Sequence, residues 1–154
     1  MMVRKTIFNA IAASMVIMAA YGCTDSRKTS GNPVFPGWYA DPEGAVFDDE
    51  FWIFPTLSDL YAAPGEEMPE YPTHKTAAIN QTYNIQTYFD AFSSKDLVHW
   101  TKHPKVLTAE NVSWAEYAMW APAILEHKGK YYLFFGANDI QNNSQTGGIG
   151  VAVA

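Results

Sequence analysis

The chain has 154 residues, 48% of them hydrophobic and only 17% charged, with a formal charge of −6. That balance supplies a packed core and excludes the disordered class, and the length points to one domain. The acidic balance, with no basic stripe, excludes a nucleic-acid partner, whose phosphates need clustered Lys and Arg.

Arg4 and Lys5 precede an apolar run from Ile7 to Ala20, broken only by Asn9 and Ser14. The run is short of the ~20 apolar residues of a membrane span and has the form of an export signal. It ends Ala19-Ala20-Tyr21-Gly22-Cys23, and Cys23 is the single cysteine, so no internal disulfide exists. Small residues followed by Cys at this place resemble a bacterial lipobox, in which the Cys is lipidated and becomes the new N-terminus. The expectation is a signal peptide over residues 1–22, lipidation at Cys23, a polar tether over 23–31 and a domain over 32–154. A freely secreted protein and a retained anchor are the alternatives. The expected location is the cell envelope, periplasmic or outer surface, with the lipid as the only membrane contact.

Asn32-Pro33-Val34-Phe35-Pro36-Gly37-Trp38-Tyr39-Ala40-Asp41-Pro42-Glu43 opens the domain. Pro42 pushes Asp41 away from helical dihedrals toward an extended conformation, and Trp38 and Tyr39 offer flat faces on which a sugar ring packs. A carboxylate walled by aromatics at the mouth of a strand is one way to set a catalytic acid or base in an apolar pocket; Asp-Pro also commonly opens a turn. Gly44-Ala45-Val46-Phe47, Asp48-Asp49-Glu50 and Phe51-Trp52-Ile53-Phe54-Pro55 read as strand, turn, strand. Residues 59–84, with Pro64-Gly65, Pro69 and Pro72, read as a long surface loop, and a loop of that length has the form of a lid over a site.

Ile85 to Phe92 then alternates as a strand, and Ser93 to Trp100 is a compact connection whose Leu97, Val98 and Trp100 are expected to plug a core. Met119 to Leu125, a turn at Glu126-His127-Lys128-Gly129-Lys130, Tyr131 to Ala137, and Gly148 to Ala154 supply three further strands. No amphipathic helix follows the signal, so the fold class is all-β. Ala40-Asp41-Pro42, strand, acidic turn, aromatic strand recurs as Trp120-Ala121-Pro122, strand, Lys-Gly turn, aromatic strand. Repeated meanders of this size are the pattern of propeller blades. The chain holds about two blades, the second cut short, and has the form of the N-terminal part of a longer protein.

The opening motif resembles that of glycoside hydrolase family 43. So do Phe89-Asp90-Ala91-Phe92-Ser93-Ser94-Lys95-Asp96-Leu97-Val98-His99-Trp100, Trp120-Ala121-Pro122, Gly129-Lys130-Tyr131-Tyr132-Leu133 and Gly148-Ile149-Gly150-Val151-Ala152-Val153-Ala154. The resemblance runs in order over residues 32–154, interrupted by the loop. It implies a five-bladed β-propeller and inverting hydrolysis of arabinofuranosyl or xylosyl linkages in plant polysaccharides, with an oligo- or polysaccharide as partner. It implies Asp41 as general base. The general acid, a Glu on a later blade, and a pKa-tuning Asp ahead of the third blade are then expected beyond Ala154, since the second-blade equivalent of Asp41 is Ala121. Many relatives carry Asp where this chain has Ala123, a position outside the catalytic three. No cofactor is expected; the resemblance leaves open a calcium ion in the central channel of the complete propeller, which no residue here demands.

Trp38 and Trp120 are the candidate sugar platforms, against plain core packing. Asp90 is a candidate to line the pocket or to bond a neighbouring backbone group. Asp41 and Glu43, two apart, would share a strand face and so could not flank a sugar as acid and base. Glu116 reads as a solvated loop residue. His99 and His103 have metal-pair spacing only on a helix, which Pro104 argues against. There is no phosphate-cradling loop and no serine nucleophile elbow. A glycan-binding propeller without chemistry is the alternative function, because the chain offers one catalytic carboxylate where hydrolysis needs two.

Overall fold

The structure, a computed structural model, describes residues 31–71, 81–138 and 147–154. The expected signal peptide, Cys23 and the tether up to residue 30 lie outside the described residues. Seven strands form two antiparallel sheets. The first has the order β1 (Trp38–Phe47), β2 (Glu50–Asp59), β3 (Tyr88–Ser94), β4 (Thr101–Thr108). The second has β5 (Met119–His127), β6 (Lys130–Ala137), β7 (Gly148–Val153). A five-residue helix, α1 (Gln81–Ile85), precedes β3.

Both first hairpins turn on two residues. Asp48 and Asp49 take φ of 48° and 61°, and Lys128 and Gly129 take 53° and 71°. Two consecutive left-handed residues between antiparallel strands match the twist of the sheet. The flanking pairs Phe47↔Glu50 and His127↔Lys130 set the register of each blade.

The repeat extends to an irregularity. Between Ala40 (opposite Thr56) and Glu43 (opposite Phe54) β1 holds one residue more than β2. The same bulge interrupts β5 between Trp120 and Ala123. Asp41 and Ala121 occupy it with φ of 46° and 47°. Asp41 therefore sits inside a strand, not at its mouth. The bulge also interrupts the alternation that would have put Asp41 and Glu43 on one face.

The sheets pack face to face. Phe54, Phe89 and Ala91 of the first meet Met119, Leu133, Phe135 and Ala137 of the second, with the Phe89 and Phe135 rings 5.8 Å apart and 60° inclined. β5 packs against β1 and β2. The other face of the second sheet carries Ile149 beside Gly136 and Trp120, Val151 beside Phe134 and Ala123, and Val153 beside Tyr132 and Leu125. Ile149 is 78% exposed. A sheet apolar on both faces is one built to be covered on both, as propeller blades are.

Several boundaries differ from the sequence reading. The loop begins after Asp59 and ends at α1, so Ile85 is helical and buried rather than the start of a strand. Residues 72–80, the middle of the expected lid, lie outside the described residues. Ser93 and Ser94 belong to β3. Leu97 is exposed at φ 60°, because Asp96 closes the turn by accepting the amides of Val98 and His99, at 2.9 and 2.8 Å, and leaves Leu97 at its tip. Strand β4 carries no alternating apolar signal, and Pro104 argues against a strand. It forms as the sheet's edge strand, where a proline costs no ladder bond.

A Cβ at Gly129 meets no atom within 4 Å, so its φ of +71° is the only obstacle to a side chain. Gly129→Ala is expected to cost about 1 kcal/mol, read as a lower midpoint in denaturant, and Gly129→Asn less, since asparagine tolerates the left-handed region.

Candidate active site

Asp41 stands on the bulge of β1, exposed, at one wall of a cavity of about 400 Å³. Thr56 and Ser58 of β2, Tyr83 of α1, Gln86 of the α1–β3 link, Trp120 of β5 and Asn138 after β6 complete its lining. The cavity therefore lies at the junction of the two sheets, where the repeated bulges come together. Thr56, 1% exposed, donates its hydroxyl to Asp41 Oδ2 at 3.2 Å and accepts the Ala121 amide at 2.7 Å. Trp120 is 44% exposed. It donates its indole N–H to Asn138 Oδ1 at 2.8 Å and lies over Gly136, where a Cβ would come within 3.2 Å of the ring. The ring is held by its edge with much of its surface free, the disposition of an aromatic platform.

The α1 segment is tied to the same place through its backbone. Ala118 N–H donates to the Tyr83 carbonyl and Met119 N–H to the Gln86 carbonyl, at 3.3 and 2.9 Å. Gln86 is 7% exposed, and among the described residues its Oε1 meets no hydrogen-bond partner. The cavity thus combines one carboxylate, an aromatic surface and amide groups, a lining suited to hydroxyl-rich ligands.

Trp38, at the start of β1 and 59% exposed, does not line this cavity. Asp90 does not either. It is 2% exposed, pairs with Lys102 Nζ at 2.7 Å, and accepts the Tyr39 hydroxyl at 2.9 Å and the Lys105 amide at 3.0 Å. Lys105, at φ 53°, lies where β4 bulges away from its partner, so Asp90 supplies the acceptor its amide lacks in the ladder. Of the two expectations for Asp90, the geometry matches the backbone-bonding one. Burial works against the charge on Lys102, but the hydrogen bonds with Asp90 and Tyr39 outweigh it and raise the ammonium above its ordinary range. Burial likewise raises the Tyr39 phenol.

Phe35 stacks on Phe92 at 3.6 Å over this network. Gly37 lets the chain cross Tyr39, whose ring a Cβ there would meet at 2.5 Å. Glu116 is exposed. His99 pairs with Asp96 at 2.7 Å, and His103 bonds Ser93 Oγ at 2.8 Å while stacking on Trp52. Among the described residues no group of three or more His, Cys, Asp or Glu is placed to hold a metal ion. A second cavity, of about 430 Å³, opens between the sheets on mostly apolar walls, among them Phe47, Trp52, Phe54, Leu107, Ile124 and Leu133, with Asp48, Glu50 and Tyr131 as polar members.

Removing the counter-charge under Tyr39 isolates a buried carboxylate. Because Lys102 is about half exposed, Lys102→Met is expected to cost about 2 kcal/mol, below the range for fully buried pairs. The Lys102 pKa is raised, so its contribution is present at neutral pH and lost as pH climbs through the alkaline range. Urea titrations of both proteins at neutral and strongly alkaline pH are expected to show the difference shrinking.

The profile of the Glycosyl hydrolases family 43 matches residues 30–154. A β-D-galactofuranosidase of Aspergillus niger is 38% identical over an alignment of 141 residues that covers 85% of this chain and 33% of that protein. A xylosidase/arabinosidase of Humicola insolens is 27% identical over 75% of this chain and 32% of its own length. Among solved structures, the GH43_1 enzyme from Xanthomonas citri complexed with xylotriose superposes with a TM-score of 0.55 at 26% identity, covering 82% of this chain and 32% of that one. The chain spans about a third of the length of the curated relatives it matches. The two sheets are accordingly two blades of a five-bladed β-propeller. With the profile covering nearly all of the described structure, the chain belongs to glycoside hydrolase family 43.

Proposed function

We propose that this chain is the N-terminal portion of an inverting glycoside hydrolase that cleaves arabinofuranosyl or xylosyl linkages of plant polysaccharides, with Asp41 as its general base. The observation that supports this most is the place of Asp41: among the described residues it is the one carboxylate lining the cavity, held by Thr56 where the two blades join, and Trp120 lines the same cavity. The names of the relatives, a galactofuranosidase and xylosidase/arabinosidases, support a pentosyl or furanosyl glycoside as substrate.

In the reaction, Asp41 takes a proton from a water as the water oxygen bonds to the anomeric carbon. The bond to the leaving oxygen breaks, and that oxygen receives a proton from a carboxylic acid on the opposite side of the sugar. Inversion places the two carboxyl groups roughly 6.5–9.5 Å apart. No second carboxylate lines the cavity among the described residues, and the reading assigns the acid to a later blade. Trp120 packs against the sugar's C–H face, and Asn138 orients the ring of Trp120.

Asp41→Ala in the full-length enzyme is expected to lower kcat on an aryl α-L-arabinofuranoside or β-xyloside by about 10²–10⁴-fold, with xylo-oligosaccharide binding retained by calorimetry. Unchanged turnover would remove Asp41 from the reaction.

The reading includes export and lipid anchorage through Cys23, supported by the small residues and basic start that precede it. Cells expressing the full-length protein and fed an alkyne fatty acid are expected to label it, and Cys23→Ser is expected to abolish the label and move activity to the soluble fraction. Equal labelling of the Ser variant would contradict the anchor.

A further inference from the structure

We infer that Thr56 is the positioning residue of this site: one buried hydroxyl aims the Asp41 carboxylate and ties it to the Trp120-bearing bulge of the next blade. The inference rests on the assignment of Asp41 as base and deepens it.

The direction of each bond follows from the groups involved. An amide N–H only donates, so the Ala121 bond at 2.7 Å uses a lone pair on Thr56 Oγ1. The one hydroxyl proton then goes to Asp41 Oδ2 at 3.2 Å. The Ala121 amide is available because the bulge of β5 takes it out of the ladder between Trp120 and Ala123. Burial protects both bonds from competing water, since Thr56 is 1% exposed. Its β-branched side chain is also stiff about χ1.

Asp41 itself is exposed, and among the described residues Thr56 is the side-chain partner of its carboxylate. Without Thr56 its carboxylate could rotate away from the attacking water. Ala121 follows Trp120 directly, so the hydroxyl also sets the platform's place relative to the base. An apolar residue would suffice to pack between Pro55 and Leu57. A threonine there, bonded to both bulges, meets the geometric demand of the reaction.

The test uses the full-length enzyme. Thr56→Val removes the hydroxyl at nearly constant shape, Thr56→Ala removes it with less bulk, and Thr56→Ser keeps it. Misaiming a base acts on the transition state alone, so kcat and kcat/KM are expected to fall together, by about tenfold to a hundredfold, in the Val and Ala variants. KM for the aryl glycoside stays near its original value, and Thr56→Ser keeps most of the turnover. In an Asp41→Ala background, Thr56→Val is expected to leave the residual rate unchanged. Thr56 variants that all keep full turnover, a Ser variant as damaged as the Val variant, or the same fractional loss with Asp41 already removed would each overturn the inference. If instead Asp41→Ala keeps full turnover, the base assignment fails, and the role of Thr56 with it.

Discussion

The geometry of the site depends on a backbone that leaves the strand at the same point in both blades. Each first strand carries an extra residue ahead of an apolar run, and that residue takes a left-handed conformation, at φ 46° for Asp41 and 47° for Ala121. Left-handed backbone disfavours alanine by about 1–2 kcal/mol, yet Ala121 adopts it. The conformation is therefore a property of the blade, imposed by pairing on both sides of the bulge, and not a preference of the side chain that happens to occupy it. Blade one uses the position to present a carboxylate. Blade two uses it to present a free amide, which Thr56 accepts.

That arrangement explains how a propeller builds a polar site in an apolar protein. The faces of the sheets are consumed by packing: Phe54, Phe89, Met119, Leu133 and Phe135 fill the space between them. Polar chemistry is left to places where the ladder is broken, and there the broken groups are paired with one another. The same economy appears on the far side of the first sheet. Asp90 accepts the amide released by the bulge at Lys105 and is neutralised by Lys102 under the Phe35 clasp. The two aspartates differ in exposure more than in chemistry. Asp90 is enclosed and satisfied, whereas Asp41 is open to solvent and to a ligand.

The hairpins were legible in the sequence because their signals are local: Asp48-Asp49 and Lys128-Gly129 are turn pairs between apolar runs, and the repeat of Asp41-Pro42 in Ala121-Pro122 located the second blade. Strand β4 was not legible, since its Lys102, Pro104 and Lys105 suit an edge that faces water and carry no period. Leu97 reads as core by composition, but the Asp96 turn, a bonding pattern and not a hydropathy pattern, puts it outside. For the site, Asp41 and Trp120 stand out as a carboxylate and an aromatic beside prolines, and both line the cavity. Asp90 stands out equally and does not line it, because only the fold shows which side of the sheet a residue faces. Thr56 had a signal, a polar residue between Phe54-Pro55 and Leu57. Gln86, Tyr83 and Asn138 had none, being ordinary loop residues until α1 is docked on β5.

In the proposed reaction Asp41 activates water and does not bond to the sugar. The most direct measurement is a crystal structure of the full-length enzyme with an uncleaved oligosaccharide across the cavity, giving the separation between the Asp41 carboxylate and the carboxyl group on the leaving oxygen. The expected separation is roughly 6.5–9.5 Å, with an ordered water between Asp41 and the anomeric carbon. A separation near 5–5.5 Å, with Asp41 against the anomeric carbon and no water between them, would contradict it.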